Sequence, residues 1–286
     1  MNKTVSELKP IIPISSAYCK IEPQRDVRHF TFILLPDFSL LAFSAALDPL
    51  RITNQLSQRP LYRWTVFSET GEPVVSSSGT SINVDGEIGN LPVESNVFVC
   101  SGLVTRHHAN TKTLASIRRH ARFGGIVGGI CTGAVTLAQA GILKSKRVTL
   151  HWENQPAFQE EFPDIEITTN LFEIDEKIVT CGGGSASMDL MLHIIKKDYG
   201  AQLSGLVADM CLSGTRRSGS SQQRPSISSQ IGSRNRRITS ALKLMKENIE
   251  TPLTIGELAS SLNSSRRQIE RLFALHLQIS PSRYYR

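Results

Sequence analysis

The chain is poor in several things, and each shortage excludes something. Its 286 residues include 6% aromatics and two tryptophans, so aliphatic side chains must supply most of any core; at 40% hydrophobic they are sufficient for one. There are five cysteines, an odd number at irregular spacing, which excludes a disulfide framework and a zinc-ligand pattern. No apolar run is long enough to span a bilayer, and the N-terminus lacks a signal-peptide core, so a cytoplasmic protein with no membrane partner is expected. Acidic residues are scarce in the last quarter. Residues 213–286 hold 13 Lys+Arg against 4 Asp+Glu, a charge of +9, which leaves −2 for the first 212 residues and +7 for the whole. A near-neutral body with a basic appendage makes nucleic acid the natural partner of the appendage.

The body is organised around Gly128-Gly129-Ile130-Cys131-Thr132-Gly133. An apolar run precedes it and a helix-type segment ending at Gly141 follows. Strand, tight turn and helix form the context of a nucleophile elbow, with Cys131 at the tip and small neighbours on both sides. A plain glycine-rich turn holding a buried cysteine reads equally well.

Around it the pattern alternates. Residues 29–35 predict a buried strand and 39–56 a helix capped by Ser39, which Pro49 should kink or break. Residues 62–68 and 96–100 predict strands, 74–84 a hairpin and 114–121 a helix. Residues 147–150, 165–169 and 177–180 predict further strands, with a short helix at 158–162. A glycine-rich turn at 181–187 leads into a helix to 212, broken near Gly200 or Gly205. Such alternation implies a largely parallel sheet covered on both faces, with ligands at the carboxyl ends of its strands. Cys131, His151 and the turn at 182–184 would share that edge. Residues 1–27 read as a mobile tail and 213–232 as a flexible linker.

The last segment, 233–286, is helical. Ile238, Ala241, Leu242, Met245 and Ile249 define an amphipathic helix. Thr254-Ile255-Gly256-Glu257 and Ser265-Arg266-Arg267-Gln268 are capping boxes opening two more helices, with a turn at Asn263-Ser264. This is a helix-turn-helix whose second helix would offer Ser265, Arg266, Arg267, Gln268 and Arg271 to DNA. The alternative is a helical hairpin with solvated charges.

Three blocks, 253–259, 265–273 and 280–286, resemble the first half of an AraC-type DNA-binding domain. The Cys131 elbow, Thr149-Leu150-His151-Trp152 and the turn at 181–187 resemble the class I glutamine amidotransferase-like superfamily of ThiJ/PfpI type. The combination looks like AraC-family regulators with an amidotransferase-like sensor at residues 28–212. The resemblance implies an α/β, flavodoxin-like fold with a largely parallel sheet sandwiched by helices, plus a small all-α helix-turn-helix domain. An AraC-type domain has two helix-turn-helix units; this sequence supplies one, and the second is missing.

Catalytic members of the superfamily place an acid near the cysteine and some carry histidine directly after it. Here Thr132 follows, and Ala42 falls near the acid's place, with Asp48 further along. A thiol with His151 as its one base and no orienting acid is a poor nucleophile. The resemblance therefore implies a vestigial elbow and a binding pocket. Asp48, Cys131, Thr132, His151, Trp152 and Gly183 are the candidate ligand residues. Helix-start amides suit a carboxylate, Trp152 a methylated amine by cation–π contact, and Asp48 or Glu153 its charge. Trp152 as a core aromatic and His151 as a structural histidine remain open readings. The expectation is a dimeric transcriptional regulator, taken as an activator, with DNA and a small effector as partners and with no cofactor or metal. The effector would be an amino acid or a quaternary amine such as glycine betaine or carnitine. A Cys131-dependent hydrolase or glyoxalase-like enzyme, or a Cys131 redox sensor, is the alternative.

Overall fold

The computed structural model describes residues 12, 17–21, 26–102, 109–214, 217–223, 236–277 and 279–285. The chain divides into two compact units, Met1–Gln223 and Arg224–Arg286.

The first unit is a three-layer α/β sandwich. In chain order it comprises β1 (Arg28–Leu34), α1 (Leu40–Ser57), β2 (Tyr62–Ser68), β3 (Val74–Val75), β4 (Ser81–Ile82), β5 (Gly86–Glu87), β6 (Asn96–Cys100), α2 (Thr111–Phe123), β7 (Val127–Ile130) and α3 (Gly133–Gln139). It continues with β8 (Arg147–Val148), α4 (Gln155–Glu161), β9 (Glu166–Ile167), β10 (Phe172–Asp175), β11 (Ile178–Cys181) and α5 (Ala186–Met210). Seven strands form one sheet in the order β10-β11-β7-β6-β1-β2-β5, parallel except for β10 against β11. Two two-stranded pieces, β3-β4 and β8-β9, lie beside it.

Alternation along β1 shows how the sheet divides its two cores. Phe30, Phe32 and Leu34 bury with Phe43, Ala46 and Leu50 of α1 and Leu190 and Ile194 of α5. Ile33 faces the other way and buries with Ile117 of α2 and Leu137 of α3. Period-2 residues thus serve opposite layers, as a doubly covered parallel sheet requires.

Several expectations change here. Helix α1 runs unbroken through Pro49. The lost donor falls in a helix that α5 braces along its length, and Thr53 Oγ1 donates to the Pro49 carbonyl. The break in α5 comes at Gly200, with φ 90° and ψ 171°, and not at Gly205. Part of the expected N-terminal tail is attached: Cys19 is buried and its N–H donates to the Leu56 carbonyl at 2.8 Å. The rest of that tail lies mostly outside the described residues. Of the expected linker, residues 217–223 pack on the first unit, and 224–235 lie outside the described residues.

The second unit contains α6 (Arg236–Glu247), α7 (Ile255–Ser261), α8 (Arg266–Leu277) and α9 (Pro281–Tyr284). Ile238, Ala241, Leu242, Met245, Leu258, Ala259, Ile269 and Phe273 form its core. Ile249, expected on the apolar face, lies beyond α6 and is exposed. Both capping boxes form: Thr254 with Glu257, and Ser265 with Gln268 through bonds of 3.1 and 3.2 Å. No helix among the described residues is long and apolar enough to cross a membrane.

His29 of β1 is buried, with Nε2 2.9 Å from Thr65 Oγ1. Burial first, and then the Arg63 charge, push its pKa down to about 4 from an ordinary 6.5. The neutral ring therefore stabilises the fold fully above pH 6.5, and that contribution is lost as pH falls towards 4. The loss amounts to about 3 kcal/mol at most for this group. Urea melts between pH 7 and 4 should show stability falling across this window, with a shallower fall in His29→Gln. An equal slope in the variant would remove His29 as a cause.

Candidate functional site: a buried elbow and a helix-turn-helix

The elbow is formed as a tight strand-to-helix turn. Cys131 joins β7 to α3 with φ 61°, the left-handed region that a non-glycine residue adopts only under constraint. The constraint comes from crowding. A Cβ on Gly129 would meet the Ala134 amide at 2.6 Å, and one on Gly133 the Val99 carbonyl oxygen at 2.2 Å. A Cβ on Gly183 would meet Cys131 Cβ at 2.7 Å. The Cys131 N–H donates to the Cys181 carbonyl and its own carbonyl accepts from His151 N–H, at 3.0 and 3.3 Å. Strands β7 and β11 and the segment after β8 therefore converge on one residue.

The thiol is buried among other thiols. Cys100 and Cys181 end the two strands flanking β7, both in register with Ile130. The Thr132 amide donates to Cys131 Sγ, which favours the thiolate, but burial outweighs it and Glu153 adds repulsion. The Cys131 pKa is pushed up to about 11. Burial likewise pushes Cys181 up to about 12. All three thiols are protonated at neutral pH, the opposite of what a nucleophile or a peroxide sensor needs. Among the described residues no cluster of three or more His, Cys, Asp or Glu could hold a metal.

Of the candidate ligand residues, Cys131, Thr132, His151, Trp152 and Gly183 come to one edge, and Asp48 does not. Asp48 lies two turns into α1, exposed, with its carboxylate 2.9 Å from Arg51 Nε. Helix α1 starts near the carboxyl edge and runs back along the sheet, which carries Asp48 away from the elbow. Its electrostatic neighbour is Cys211, after α5. Thr132 Oγ1 donates to the Gly102 carbonyl, and the Gly183 amide to Cys181 Sγ at 3.4 Å. Both groups are thus committed to holding the elbow.

His151 and Trp152 form a corner, their rings 5.4 Å apart. Burial lowers the His151 pKa against an opposing pull from Glu153, whose carboxylate is 3.9 Å from Nδ1. His151 Nδ1 and Asn154 Oδ1 are buried and have no hydrogen-bond partner among the described residues. Sequence reasoning missed Asn154, and it missed Gln223. The Gln223 Oε1 accepts from Trp152 N–H at 2.9 Å, and Nε2 donates to Thr149 Oγ1 and to the Leu150 and Asn170 carbonyls at 2.9–3.0 Å. A Ser/Gln/Arg-rich segment carries no periodicity that could have marked one glutamine as docked.

In the second unit, Asn263 turns the chain with φ 46° between α7 and α8. Helix α8 buries Ile269 and Phe273 and exposes Arg266, Arg267, Gln268 and Arg271. Arg266 is 2.9 Å from Glu270. Ser265 and the Gln268 carbonyl are used in the cap, which leaves Arg267 and Arg271, one turn apart, as a cationic pair on the open face.

The high Cys131 pKa has a direct consequence. At pH 8, alkylation of Cys131 by iodoacetamide, followed by peptide mapping, should run about two orders of magnitude slower than for a free cysteine and accelerate only towards pH 11. A free-cysteine rate at neutral pH would contradict this account of the elbow.

Comparison with known proteins places these observations. Residues 44–197 match the DJ-1/PfpI family. The HTH-type transcriptional regulator CdhR of Pseudomonas aeruginosa is 41% identical over 256 residues, 90% of this chain and 76% of that protein. GbdR, an HTH-type transcriptional regulator of the same species, is 38% identical over 266 residues, 93% and 72% of the two chains. A crystal structure of an AraC family transcriptional regulator from Pseudomonas putida matches with a TM-score of 0.57 at 28% identity, covering 64% of this chain and 99% of that one. On these matches the chain belongs to the DJ-1/PfpI family, and with its capped helix-turn-helix it is an HTH-type transcriptional regulator built on that fold.

Proposed function

We propose that the first unit senses a small zwitterion at the His151–Trp152 corner and that the second reads DNA through α8. The corner carries the argument. It presents an indole beside an exposed carboxylate, Glu153, and two unpartnered buried polar atoms, while burial keeps both the His151 ring and the Cys131 thiol neutral. An aromatic face with a nearby carboxylate suits a quaternary ammonium group, and a neutral surround suits a ligand with no net charge. Glycine betaine and carnitine are ligands of this kind, in line with the family resemblance. The regulator would act in the cytoplasm as an activator, and as a homodimer through the first unit, since paired subunits match paired half-sites on DNA.

Glycine betaine should raise the melting midpoint of the full chain saturably, corresponding to about 2.7 kcal/mol of added stability at a hundredfold excess over Kd, and be recovered unchanged. Trp152→Ala should abolish the shift. No shift, or recovery of altered betaine, would reject the reading.

For DNA, Arg267→Ala and Arg271→Ala should each weaken binding of an operator-containing duplex by about 1–3 kcal/mol, while Arg266→Ala, which frees Glu270, should cost less per charge removed. Equal, negligible losses in gel-shift titrations would mean that α8 does not face DNA.

A further inference from the structure

The chain leaves the first unit through residues 217–223, and this stretch is tied at one end to the start of α5 and at the other to the His151–Trp152 corner. At one end Arg217 grips Asp189, whose side chain is buried at the start of α5. The Arg217 amide donates to Oδ1 at 3.2 Å and its Nε to Oδ2 at 3.0 Å, while a terminal nitrogen reaches Ser185 Oγ at 2.8 Å. In the middle the strap lies along residues 169–172 as an added edge: Leu171 N–H donates to the Gly219 and Ser221 carbonyls, and Gln223 N–H to the Thr169 carbonyl at 2.7 Å. At the other end the Gln223 side chain plugs the space over Gly182, where a Cβ would lie 2.7 Å from the Gln223 carboxamide carbon. Gly183, the next residue, is packed on Cys131. Gln223 also fixes the backbone of Trp152.

The strap is held mainly by polar contacts and borders an open groove. The groove, of about 530 Å³, is lined by residues 217–220 together with Phe172, Asp189, His193 and Lys196. Gly219 packs closely against the Phe172 ring, and Gln223 against Gly182. An element bound by hydrogen bonds and one ion pair, with little apolar burial, opens at a low free energy, as a switch element must.

We propose that residues 217–223 are a latch linking occupancy of the His151–Trp152 corner to the freedom of the chain entering the DNA-binding unit. This rests on the reading of that corner as the effector pocket. Gln223 touches both partners of the link. A ligand that shifts Trp152 or the turn at 182–183 changes the latch's docking free energy, and by reciprocity a released latch changes the corner.

The test needs neither effector nor DNA. Trypsin cleavage after Arg217 reports latch opening in the full chain. Alkylation of Cys131 at pH 9, mapped by peptide, reports the corner. Gln223→Ala should raise the cleavage rate by about tenfold and Cys131 alkylation by about threefold, since it removes four hydrogen bonds at the link. Asp189→Asn, which weakens the other end, should raise cleavage as well, and cooperative melting of either variant confirms the fold. Cleavage at the wild-type rate in both variants overturns the latch. Raised cleavage with unchanged Cys131 alkylation overturns the link. A failure of glycine betaine to bind would leave both readouts standing, so the two readings fail separately.

Discussion

Cys131 sits in a left-handed backbone conformation with no room on any side, and much of the first unit follows from that crowding. Gly129 and Gly133 let α3 start against β6 and β7. Gly183 lets the β11 turn close over the cysteine, and the His151 amide ties in the segment after β8. The same closeness that builds the turn excludes water from the thiol. Burial, with Glu153 adding to it, outweighs the Thr132 amide and holds the thiol protonated. Geometry suited to a nucleophile and electrostatics that disarm it coexist because the first depends on backbone packing and the second on side chains.

That separation explains how an enzyme-like fold serves a regulator. The backbone presents polar groups at the sheet's carboxyl edge, where α/β folds bind ligands. In the proposed reading, what binds is set by the side chains around it: neutral His151, the Trp152 face, Glu153 and the unpartnered Asn154 Oδ1. Asp48 contributes nothing there, since α1 carries it to the solvent side of the α1–α5 layer. The strap of residues 217–223 reaches the same corner through Gln223, which accepts from the Trp152 N–H.

In the second unit the caps decide the geometry. Ser265 and Gln268 satisfy the first turn of α8 and so spend their polar groups on the helix, while Arg266 is drawn along the helix to Glu270. The cation pair left open, Arg267 and Arg271, is a narrower surface than five candidate residues suggest.

The sequence by itself determined the alternation of strands and helices, the elbow, both capping boxes and the basic character of the last quarter. These depend on period, on small residues at a turn and on charge count, all of which are local. Only the tertiary structure decided that Pro49 leaves α1 whole, that α5 breaks at Gly200, that Asp48 is remote from the elbow and that the thiol is held protonated. It also decided that a stretch composed like a linker is docked. Gln223 shows the reason. Its four side-chain hydrogen bonds reach residues 149, 150, 152 and 170, more than fifty positions earlier in the chain, and no local pattern encodes partners at that distance.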